Sequence, residues 1–566
     1  MKKWLAMLLC MVLVLGCLPM VALADEEAAP FTISRALGDH MVLQRDAEIR
    51  IWGFSDKKGE KIAVTFKGKT TETTVKDDGT WEVKLPAEAA EKTPQELKAT
   101  MGDYTVTLTD ILIGDVYLVG GQSNAEKTLA ACGNEYTKKY KEELITSGED
   151  MIRYFQQSRN DVMGSAKNKA LMLQPQLEPL KGKKWKNEKT SVINDFSAMG
   201  VFFAHKMYDT LKVPIGMVMV ASSGSPVSQL MSAEASKATG YTRFENDIPV
   251  SGMYNTLMNP FIKMTIKGMI YYQGESEMGL AVSDYGKYNE YVNAYVEDLR
   301  AKMEQDFPFF FVQVSSHDGT GITSWPQLKY QRAVQFDGLK VIKNSGMVVS
   351  MDQGYRDGDS DWAHPNYKKP VGDRLADLAL SRLYGIGDEE YVTSPMPDYA
   401  YKAEGGVMVH FTHVGDGLKQ IGSKTKLLGF STMSNATTFN PVEAEIVGKN
   451  EVLLKGVDAD KVFGIAYGME ILAFVEYEDE KYVANLGNSN ELPAPSFEIR
   501  KAQILAEKPA DPTPAPTEAP TADPAQPGEP TAKPEKKGCG SSFALSAACA
   551  AAILPAAIVF RKKKED

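Results

Sequence analysis

Cysteine is scarce in this chain, with five residues in 566. Four of the five lie in apolar segments near the two ends of the chain: Cys10, Cys17, Cys539 and Cys549. Only Cys132 remains for the folded part, so no intramolecular disulfide framework can form there. We expect Cys132 to be a small buried apolar residue, and the fold to depend on large hydrophobic cores, for which the chain is long enough.

Positive charge and histidine are also in short supply. The chain has 63 lysine and arginine residues against 74 aspartate and glutamate residues, a net charge of −11. This charge provides no surface for a polyanion, so we expect no nucleic-acid partner. Two of the six histidines, His410 and His413, fall on opposite faces of a predicted strand, which disfavours a metal pair. A phosphate-binding Gly-Lys-Ser/Thr loop is also missing, so nothing in the sequence supports a phosphotransfer enzyme.

The first residues have the pattern of an export signal. Two lysines precede an apolar run, and small residues at Ala22 and Ala24 come just before Asp25. This order is typical of a signal peptide over residues 1–24, with the mature chain beginning near Asp25. Cys17, in the segment Val-Leu-Gly-Cys, leaves lipid attachment as an alternative.

The other end of the chain predicts a membrane tether. Residues 509–537 are rich in proline and threonine and cannot bury a core, so we expect an extended linker. Residues 541–560 are uncharged, and a helix of that length spans about 30 Å, the thickness of the hydrocarbon layer. A basic run follows at once, and basic residues stay on the cytoplasmic side. The sequence therefore predicts one transmembrane helix, a cytoplasmic C-terminus and a folded part at the cell surface.

Hydrophobic periodicity divides the folded part into three regions. Residues 31–110 alternate between apolar and polar side chains, which predicts an N-terminal β domain. Residues 111–387 alternate apolar strands with amphipathic helices, which predicts an α/β domain with a parallel sheet flanked by helices. Short alternating strands return over residues 388–505 and predict a C-terminal β domain. We expect both β domains to be sandwich-like.

Three segments rich in small and polar residues follow strands of the predicted parallel sheet. They are Gly-Gly-Gln-Ser-Asn at 120–124, Ser-Ser-Gly-Ser-Pro at 222–226 and Gln-Gly-Glu-Ser-Glu at 273–277. Because the carboxyl ends of parallel strands meet at one edge of a sheet, these segments should lie together. They supply a hydroxyl, glycine N–H groups, and amide or carboxyl side chains, which are the groups that acyl transfer requires.

A hydroxyl nucleophile at Ser123 needs a base, and His364 is the histidine best placed to be one. It lies in Asp-Ser-Asp-Trp-Ala-His, a loop that precedes an amphipathic helix. Asp361 stands three residues before it, and a carboxylate there can fix the imidazole tautomer and stabilise the imidazolium. Asp357 and Asp359 are alternatives for this role.

These blocks, in this order, resemble the sialate O-acetylesterase family of the SGNH hydrolases. The resemblance covers about residues 33–500 and includes an opening β domain, Gly-Asp-Val-Tyr-Leu-Val-Gly-Gly-Gln-Ser-Asn, Asp-Trp-Ala-His-Pro-Asn and a closing stretch that ends in Ser-Phe-Glu-Ile-Arg. It implies an SGNH-type parallel sheet and a serine carboxylic-ester hydrolase. Such an enzyme removes acetyl groups from sialic acid or other glycans through a serine acyl-enzyme, without a metal or a cofactor.

The resemblance also implies roles for individual residues. Ser123 matches the nucleophile, His364 the base and Asp361 its orienting partner. Gly224 matches the glycine whose N–H helps to bind the oxyanion. Gln273 stands where other SGNH hydrolases have their oxyanion-hole asparagine, and its amide could serve the same end.

Neighbouring positions both support this site and depart from the family pattern. Asn124 and Glu275 are possible supports, Glu275 either by polarising the site or by a structural hydrogen bond to the neighbouring loop. Ala125 stands where the family usually has methionine, Leu230 replaces an aromatic residue, and Glu277 replaces an expected asparagine. These changes alter the walls of the pocket, and the sugar specificity is expected to change with them.

Two classes of function remain open from the sequence. One is an extracellular, membrane-anchored esterase that acts on an O-acetylated glycan. The alternative is a catalytically degenerate cell-surface protein that only binds carbohydrate. Retention of Ser123 and His364 favours the esterase, and hydrolysis of an aryl acetate by residues 25–508 would discriminate between the two.

Overall fold

The structure is a computed structural model that describes twelve parts of the chain: residues 29–133, 139–140, 144, 150–188, 190–278, 280, 284, 286–316, 327–353, 364–422, 426–469 and 484–510. The predicted signal peptide, nearly all of the predicted linker and the predicted anchor lie outside these residues. Within them, no helix has both the length and the apolar character needed to cross a membrane.

The N-terminal region forms short strands, as its alternation predicted. Ile62 and Val64 on one strand, and Trp81 and Val83 on another, are almost completely buried. The strands β1, β3 and β6 pair in an antiparallel sheet, and β4 pairs with β5 and β7. The strands of this region are β1 Phe31–Ile33, β2 Val42–Gln44, β3 Ile49–Ser55, β4 Lys61–Phe66, β5 Lys69–Thr74, β6 Thr80–Leu85 and β7 Glu91–Met101.

The central sheet has the order β10-β9-β11-β8-β12-β13-β14. Neighbouring strands are parallel except β10 and β9, so the predicted parallel sheet is confirmed. The second half of β8 and the strands β11, β12 and β13 are buried on both faces, which explains why they read as unbroken apolar runs. They are β8 Tyr104–Gly121, β9 Ile152–Gln156, β10 Trp185–Asn187, β11 Ile215–Met219, β12 Gly268–Tyr272, β13 Phe309–Gln313 and β14 Ser345–Val349.

Strand β8 belongs to two regions at once. Its first half pairs with β7 in antiparallel fashion, and its second half pairs in parallel with β11 and β12. The boundary predicted between residues 110 and 111 therefore falls inside one strand of 18 residues. The N-terminal strands and the central sheet share this backbone.

A buried charge network also joins these two regions at β8. The Asp115 side chain is fully buried and accepts hydrogen bonds from the Nε and Nη2 atoms of Arg45, each at 3.0 Å. The Tyr384 hydroxyl donates to the same carboxylate at 2.9 Å, and the Gln44 amide donates at 3.2 Å. Hence Asp115 links the segment after β2 to the end of the last long helix.

Helices cover both faces of the central sheet. Tyr117 and Val119 of β8 pack in a core with α5 and α10, whereas Val116 and Leu118 face a second core that α8 and α9 cover. The helix predicted to follow His364 is α10. The α-helices are α1 Ser123–Glu126, α2 Arg159–Met163, α3 Ala166–Ala170, α4 Thr190–Asp195, α5 Ala198–Leu211, α6 Val227–Leu230, α7 Ala233–Thr239, α8 Lys287–Met303, α9 Leu328–Val341, α10 Lys369–Tyr384 and α11 Glu389–Val392.

The C-terminal region returns to strands, again as predicted. It contains a five-stranded sheet in the order β20-β21-β16-β15-β25 and a four-stranded sheet in the order β19-β18-β22-β24. The fold is therefore mixed α/β with several sheets. The strands are β15 Met396–Ala403, β16 Gly406–Thr412, β17 Lys419–Gln420, β18 Phe430–Met433, β19 Phe439–Pro441, β20 Ala444–Val447, β21 Glu451–Lys455, β22 Gly464–Tyr467, β23 Leu486–Gly487, β24 Phe497–Arg500 and β25 Ile504–Leu505.

Candidate active site

Ser123 lies at the carboxyl end of the central strand β8, where the chain turns directly into α1. Gly121 makes this turn with a φ of 119°, and a Cβ atom there would lie 2.1 Å from the carbonyl oxygen of Tyr272. Only glycine fits this approach to β12. Ser123 is the first residue of α1, so its N–H group has no acceptor earlier in the helix. The serine thus presents a half-buried side chain and a backbone donor at one position.

The segment 222–227 follows β11 and lies beside this turn, because the Ser222 N–H donates to the Gly121 carbonyl at 2.9 Å. Other N–H groups of the segment also have acceptors within the described structure. The exception is Gly224, whose N–H makes no hydrogen bond there. Gly224 has a φ of 68°, which glycine adopts without strain. The segment therefore offers one available backbone donor next to Ser123.

Two buried carboxylates hold this segment at its ends. The Glu126 Oε2 atom accepts from the Ser223 N–H at 2.5 Å, and the Glu277 Oε1 atom accepts from the Val227 N–H at 2.5 Å. Burial raises the pKa of Glu126, and burial raises the pKa of Glu277 to about 7. Glu126 belongs to the nucleophile helix and Glu277 to the third polar segment, so the three predicted segments are joined around Gly224.

The Gln273 amide does not line this cleft. Its Nε2 atom donates to the Glu277 carboxylate and, at 3.5 Å, to the Ser225 carbonyl, while the Tyr271 hydroxyl lies 3.4 Å from its Oε1 atom. The residue is 1% exposed. The structure therefore does not bring the Gln273 amide to Ser123, although the segment that carries it lies where we predicted. The physical reason is the buried Glu277 side chain, which accepts a hydrogen bond from the Gln273 amide.

The two predicted support residues are in direct contact. The Asn124 Nδ2 atom donates to the Glu275 Oε1 atom at 2.6 Å, and the Lys368 ammonium donates to the Asn124 Oδ1 atom at 2.6 Å. All three residues are buried. Burial raises the pKa of Glu275, while the hydrogen bond from Asn124 and the positive charge of Lys368 oppose this rise. Asn124 thus separates a buried ammonium from a buried carboxyl beneath the nucleophile.

His364 lies on the same cleft as Ser123 and Gly224. It is half-buried, and it comes just before α10, in the loop where the sequence predicted it. Asp361 and its alternatives, Asp357 and Asp359, lie outside the described residues. Their part in orienting His364 remains a prediction.

The cleft that these residues line has a volume of about 830 Å³. Its walls carry three cationic side chains: Lys127, Arg159 and Arg243. Arg243 is held by Glu245 at 2.9 Å and by the Ser276 carbonyl. The Nε atom of Arg159 is buried and has no hydrogen-bond partner within the described structure. In a chain of net charge −11, this positive wall is a local feature.

Sequence reasoning missed three residues of this site. Glu126 follows the nucleophile by three positions, Lys368 follows the base by four, and Arg159 begins α2. Proximity to the recognised blocks was the only available signal for Glu126 and Lys368. For Arg159 the sequence contained no signal, because no motif surrounds it.

Three groups meet at the carboxyl edge of the parallel sheet: a serine at the end of the central strand, an available glycine N–H beside it, and a histidine on the same cleft. These are the groups that hydrolysis of an ester requires. Comparisons with known proteins agree with this class: the protein is a carboxylic-ester hydrolase.

The comparisons also identify the relatives. A family model described as carbohydrate esterase, sialic acid-specific acetylesterase, matches residues 113–381. Sialate O-acetylesterase of Homo sapiens is 29% identical over 429 residues, which cover 68% of this chain and 77% of that protein. The Rattus norvegicus protein is 27% identical over 417 residues, 63% of this chain and 74% of its own length. A carbohydrate acetylesterase from Xanthomonas citri has a similar solved structure, with a TM-score of 0.67 at 28% identity, covering 83% of this chain and 99% of that chain. The resemblance to the sialate O-acetylesterase family is therefore confirmed.

Proposed function

We propose that the protein is an SGNH-type O-acetylesterase that releases acetate from glycans through an acyl-enzyme on Ser123. The observation that carries this proposal is that Ser123, Gly224 and His364 line one cleft at the carboxyl edge of a parallel sheet. The relatives act as a guide to the chemistry, since they are named sialate O-acetylesterases and a carbohydrate acetylesterase.

The proposed reaction has two steps. In the first, the Ser123 Oγ atom attacks the acetyl carbonyl while His364 accepts the serine proton, and the C–O bond to the sugar breaks as His364 protonates the leaving oxygen. The N–H groups of Ser123 and Gly224 stabilise the oxyanion of the tetrahedral intermediate. In the second step, His364 removes a proton from water as the water attacks the acetyl-serine carbonyl. The C–O bond to the Ser123 Oγ atom then breaks, His364 returns the proton to that oxygen, and acetate is released. We propose that Asp361 holds His364 in the tautomer that these transfers require.

The cationic wall of the cleft favours a sugar that carries a carboxylate. Lys127 and Arg159 make no ion pair within 4.0 Å among the described residues, and both line the cleft, where a ligand can contact them. A guanidinium can bind a carboxylate through two parallel hydrogen bonds. We therefore propose an acidic acetylated sugar, such as sialic acid, in preference to a neutral one.

The test of the reaction is acetate release by Ser123→Ala. The variant should lose on the order of 10³-fold or more in kcat, because the hydroxyl that forms the acyl-enzyme is gone. Ser223 and Ser276 supply the other serine hydroxyls of the cleft, so Ser223→Ala and Ser276→Ala are the matched controls and should keep most of the activity. Near-normal turnover by folded Ser123→Ala would refute the proposal.

The test of the substrate class is Arg159→Met. The change keeps an unbranched apolar stem and removes the charge, so KM for an acetylated acidic sugar should rise about tenfold, with little change for a neutral acetylated sugar. An equal change for both substrates would contradict a carboxylate contact.

We further propose that the enzyme works outside the cell. The support is the sequence of two segments outside the described residues, the signal at 1–24 and the apolar segment at 541–560. Protease added to intact cells should cut the folded part of the full-length chain, and a chain that ends at Lys508 should be found in the medium. Full-length protein free in the medium without cleavage would argue against the anchor.

A further inference from the structure

We propose that the side-chain amide of Gln122 is a catalytic residue, which donates a hydrogen bond to the carbonyl oxygen of the acetyl group as the oxyanion forms. The inference rests on the proposed esterase reaction and adds a donor to it. It comes from the contacts of the residue that immediately precedes the nucleophile.

The orientation of the Gln122 amide is fixed by backbone donors. Its Oε1 atom accepts from the Ser276 N–H at 3.1 Å and lies 3.4 Å from the Gly274 N–H. Backbone N–H groups can only donate, so the atom that faces them is the oxygen and the other arm of the amide is the NH₂ group. Rotation of the amide by 180° would bring donors against donors. The third segment therefore sets the direction in which the NH₂ group points.

That NH₂ group is available to a ligand. The Gln122 Nε2 atom makes no hydrogen bond with any described residue. It is also not fully enclosed by protein, so water or a ligand can reach it. Gln122 is 4% exposed, and it lines the cleft together with Ser123 and Gly224. A buried amide nitrogen without a protein partner costs free energy unless water or a ligand accepts from it. The open space that Gln122 reaches is the cleft itself.

The side chain that could otherwise supply this donor is engaged elsewhere. The Gln273 amide nitrogen donates to Glu277 and to the Ser225 carbonyl, which accounts for both of its hydrogens. Turning it towards the cleft would leave a buried Glu277 oxygen without that donor. Because Gln273 is held in this way, it cannot donate into the cleft. The Gln122 amide, which is adjacent to Ser123, can do so because its NH₂ group has no acceptor among the described residues.

A donor in this position acts mainly on the transition state. The acetyl oxygen gains negative charge when the Ser123 Oγ atom attacks, and a hydrogen bond to it strengthens as that charge develops. Removal of one such donor lowers kcat by about 10²-fold to 10³-fold, with a small effect on KM. An amide that bound a sugar hydroxyl instead would contribute equally to substrate and transition state and would change KM.

The experiment compares Gln122→Glu with the full-length parent on 4-nitrophenyl acetate and on an acetylated sugar. Glutamate keeps an oxygen for Gly274 and Ser276 but replaces the NH₂ donor with a second oxygen. We expect kcat to fall by about 10²-fold or more on both substrates and KM to stay within about threefold. The matched control is Gln327→Glu, the same chemical change at another amide that lines the cleft, and it should keep parental kcat.

A second variant keeps the test decisive if glutamate at this position prevents folding. Gln122→Met has a similar length and no charge, and its kcat should fall by the same order on both substrates. Unchanged kcat in a folded variant, or a loss confined to KM for the sugar, overturns the inference. Ser123→Ala, measured in the same assay, separates this failure from that of the reaction itself. An active Ser123→Ala refutes the esterase mechanism, whereas an inactive one beside a fully active Gln122 variant refutes only the role of Gln122.

Discussion

The buried carboxyl of Glu277 should make the stability of the protein depend on pH, and Glu277→Gln should remove that dependence. The side chain is fully buried, and burial raises its pKa from 4.5 to about 7. Below pH 4.5 the carboxyl is protonated in both the folded and the unfolded chain. Between pH 4.5 and 7 the unfolded chain releases its proton while the folded chain still holds it, so the free energy of unfolding falls as pH rises.

The size of this effect follows from the two pKa values. Each pKa unit corresponds to 1.36 kcal/mol, so a rise of about 2.5 units gives about 3 kcal/mol, lost progressively between pH 4.5 and 7 and constant above that range. Glutamine cannot ionise, and it can still accept from the Val227 N–H. It has only one oxygen, so it loses the hydrogen bond from Gln273, which costs about 1 kcal/mol at every pH. The substitution should therefore change the slope as well as the level of stability.

The assay is urea denaturation of the parent and Glu277→Gln at half-unit steps from pH 4 to pH 8. The difference in the free energy of unfolding should shift by about 3 kcal/mol in favour of the variant across this range. Glu60→Gln, a change at an exposed glutamate of the N-terminal region, is the control and should follow the parent. A constant difference between parent and Glu277→Gln at all pH values would refute the reasoning, since it would show that Glu277 ionises alike in both states.

Three further predictions concern the site and its support. Gly224→Ala should lower kcat by about tenfold or more with little change in KM, because φ is 68° there and the new Cβ would lie 3.2 Å from the Asn246 amide, so the N–H donor would shift. A parental kcat would exclude the Gly224 N–H as an oxyanion donor. Asp115→Ala should lower the free energy of unfolding in urea by about 3–5 kcal/mol, because it leaves the Arg45 charge without its buried partner, and a loss below 1 kcal/mol would contradict that. Lys368→Met should reduce both the free energy of unfolding and kcat, because Asn124 and Glu275 lose the positive charge that balances them. Unchanged values in denaturation and acetate-release assays would show that this contact contributes to neither.

The sequence predicted the edge of the sheet at which the site forms. Apolar runs such as Gly-Met-Ile-Tyr-Tyr are fully buried parallel strands, and the polar residues after each strand must leave the sheet at its carboxyl end. For that reason Ser123, Gly224 and Glu275 are found on one cleft. Alternation likewise predicted the buried faces of the N-terminal strands, and Cys132 is 1% exposed, as expected.

The direction of individual side chains could not be read in the same way. Gln273 occupies the predicted segment, yet its amide faces Glu277, because this buried carboxyl group, four residues later in the chain, accepts a hydrogen bond from the amide nitrogen. Other hydrogen bonds to buried carboxyl groups join residues that are far apart in the chain, such as Glu126 with Ser223. The periodicity of the sequence does not predict such contacts. The boundary at 110/111 was placed where the hydrophobic pattern changes, but backbone pairing in β8 continues through that change.

The continuity of β8 limits how this protein can be cut or recombined. β8 runs through 18 residues as one strand, although its pairing with β7 is irregular near Asp110, where φ is 54°. A gene fusion or chimera that began at residue 111 would cut β8 in two. The backbone groups of β7 that pair with the first half of β8 would then lose their partners in the fused chain. A cut placed before β1 leaves this strand, its pairing with β7 and the turn to Ser123 intact. The N-terminal strands should therefore be inherited together with the nucleophile as one exchangeable block.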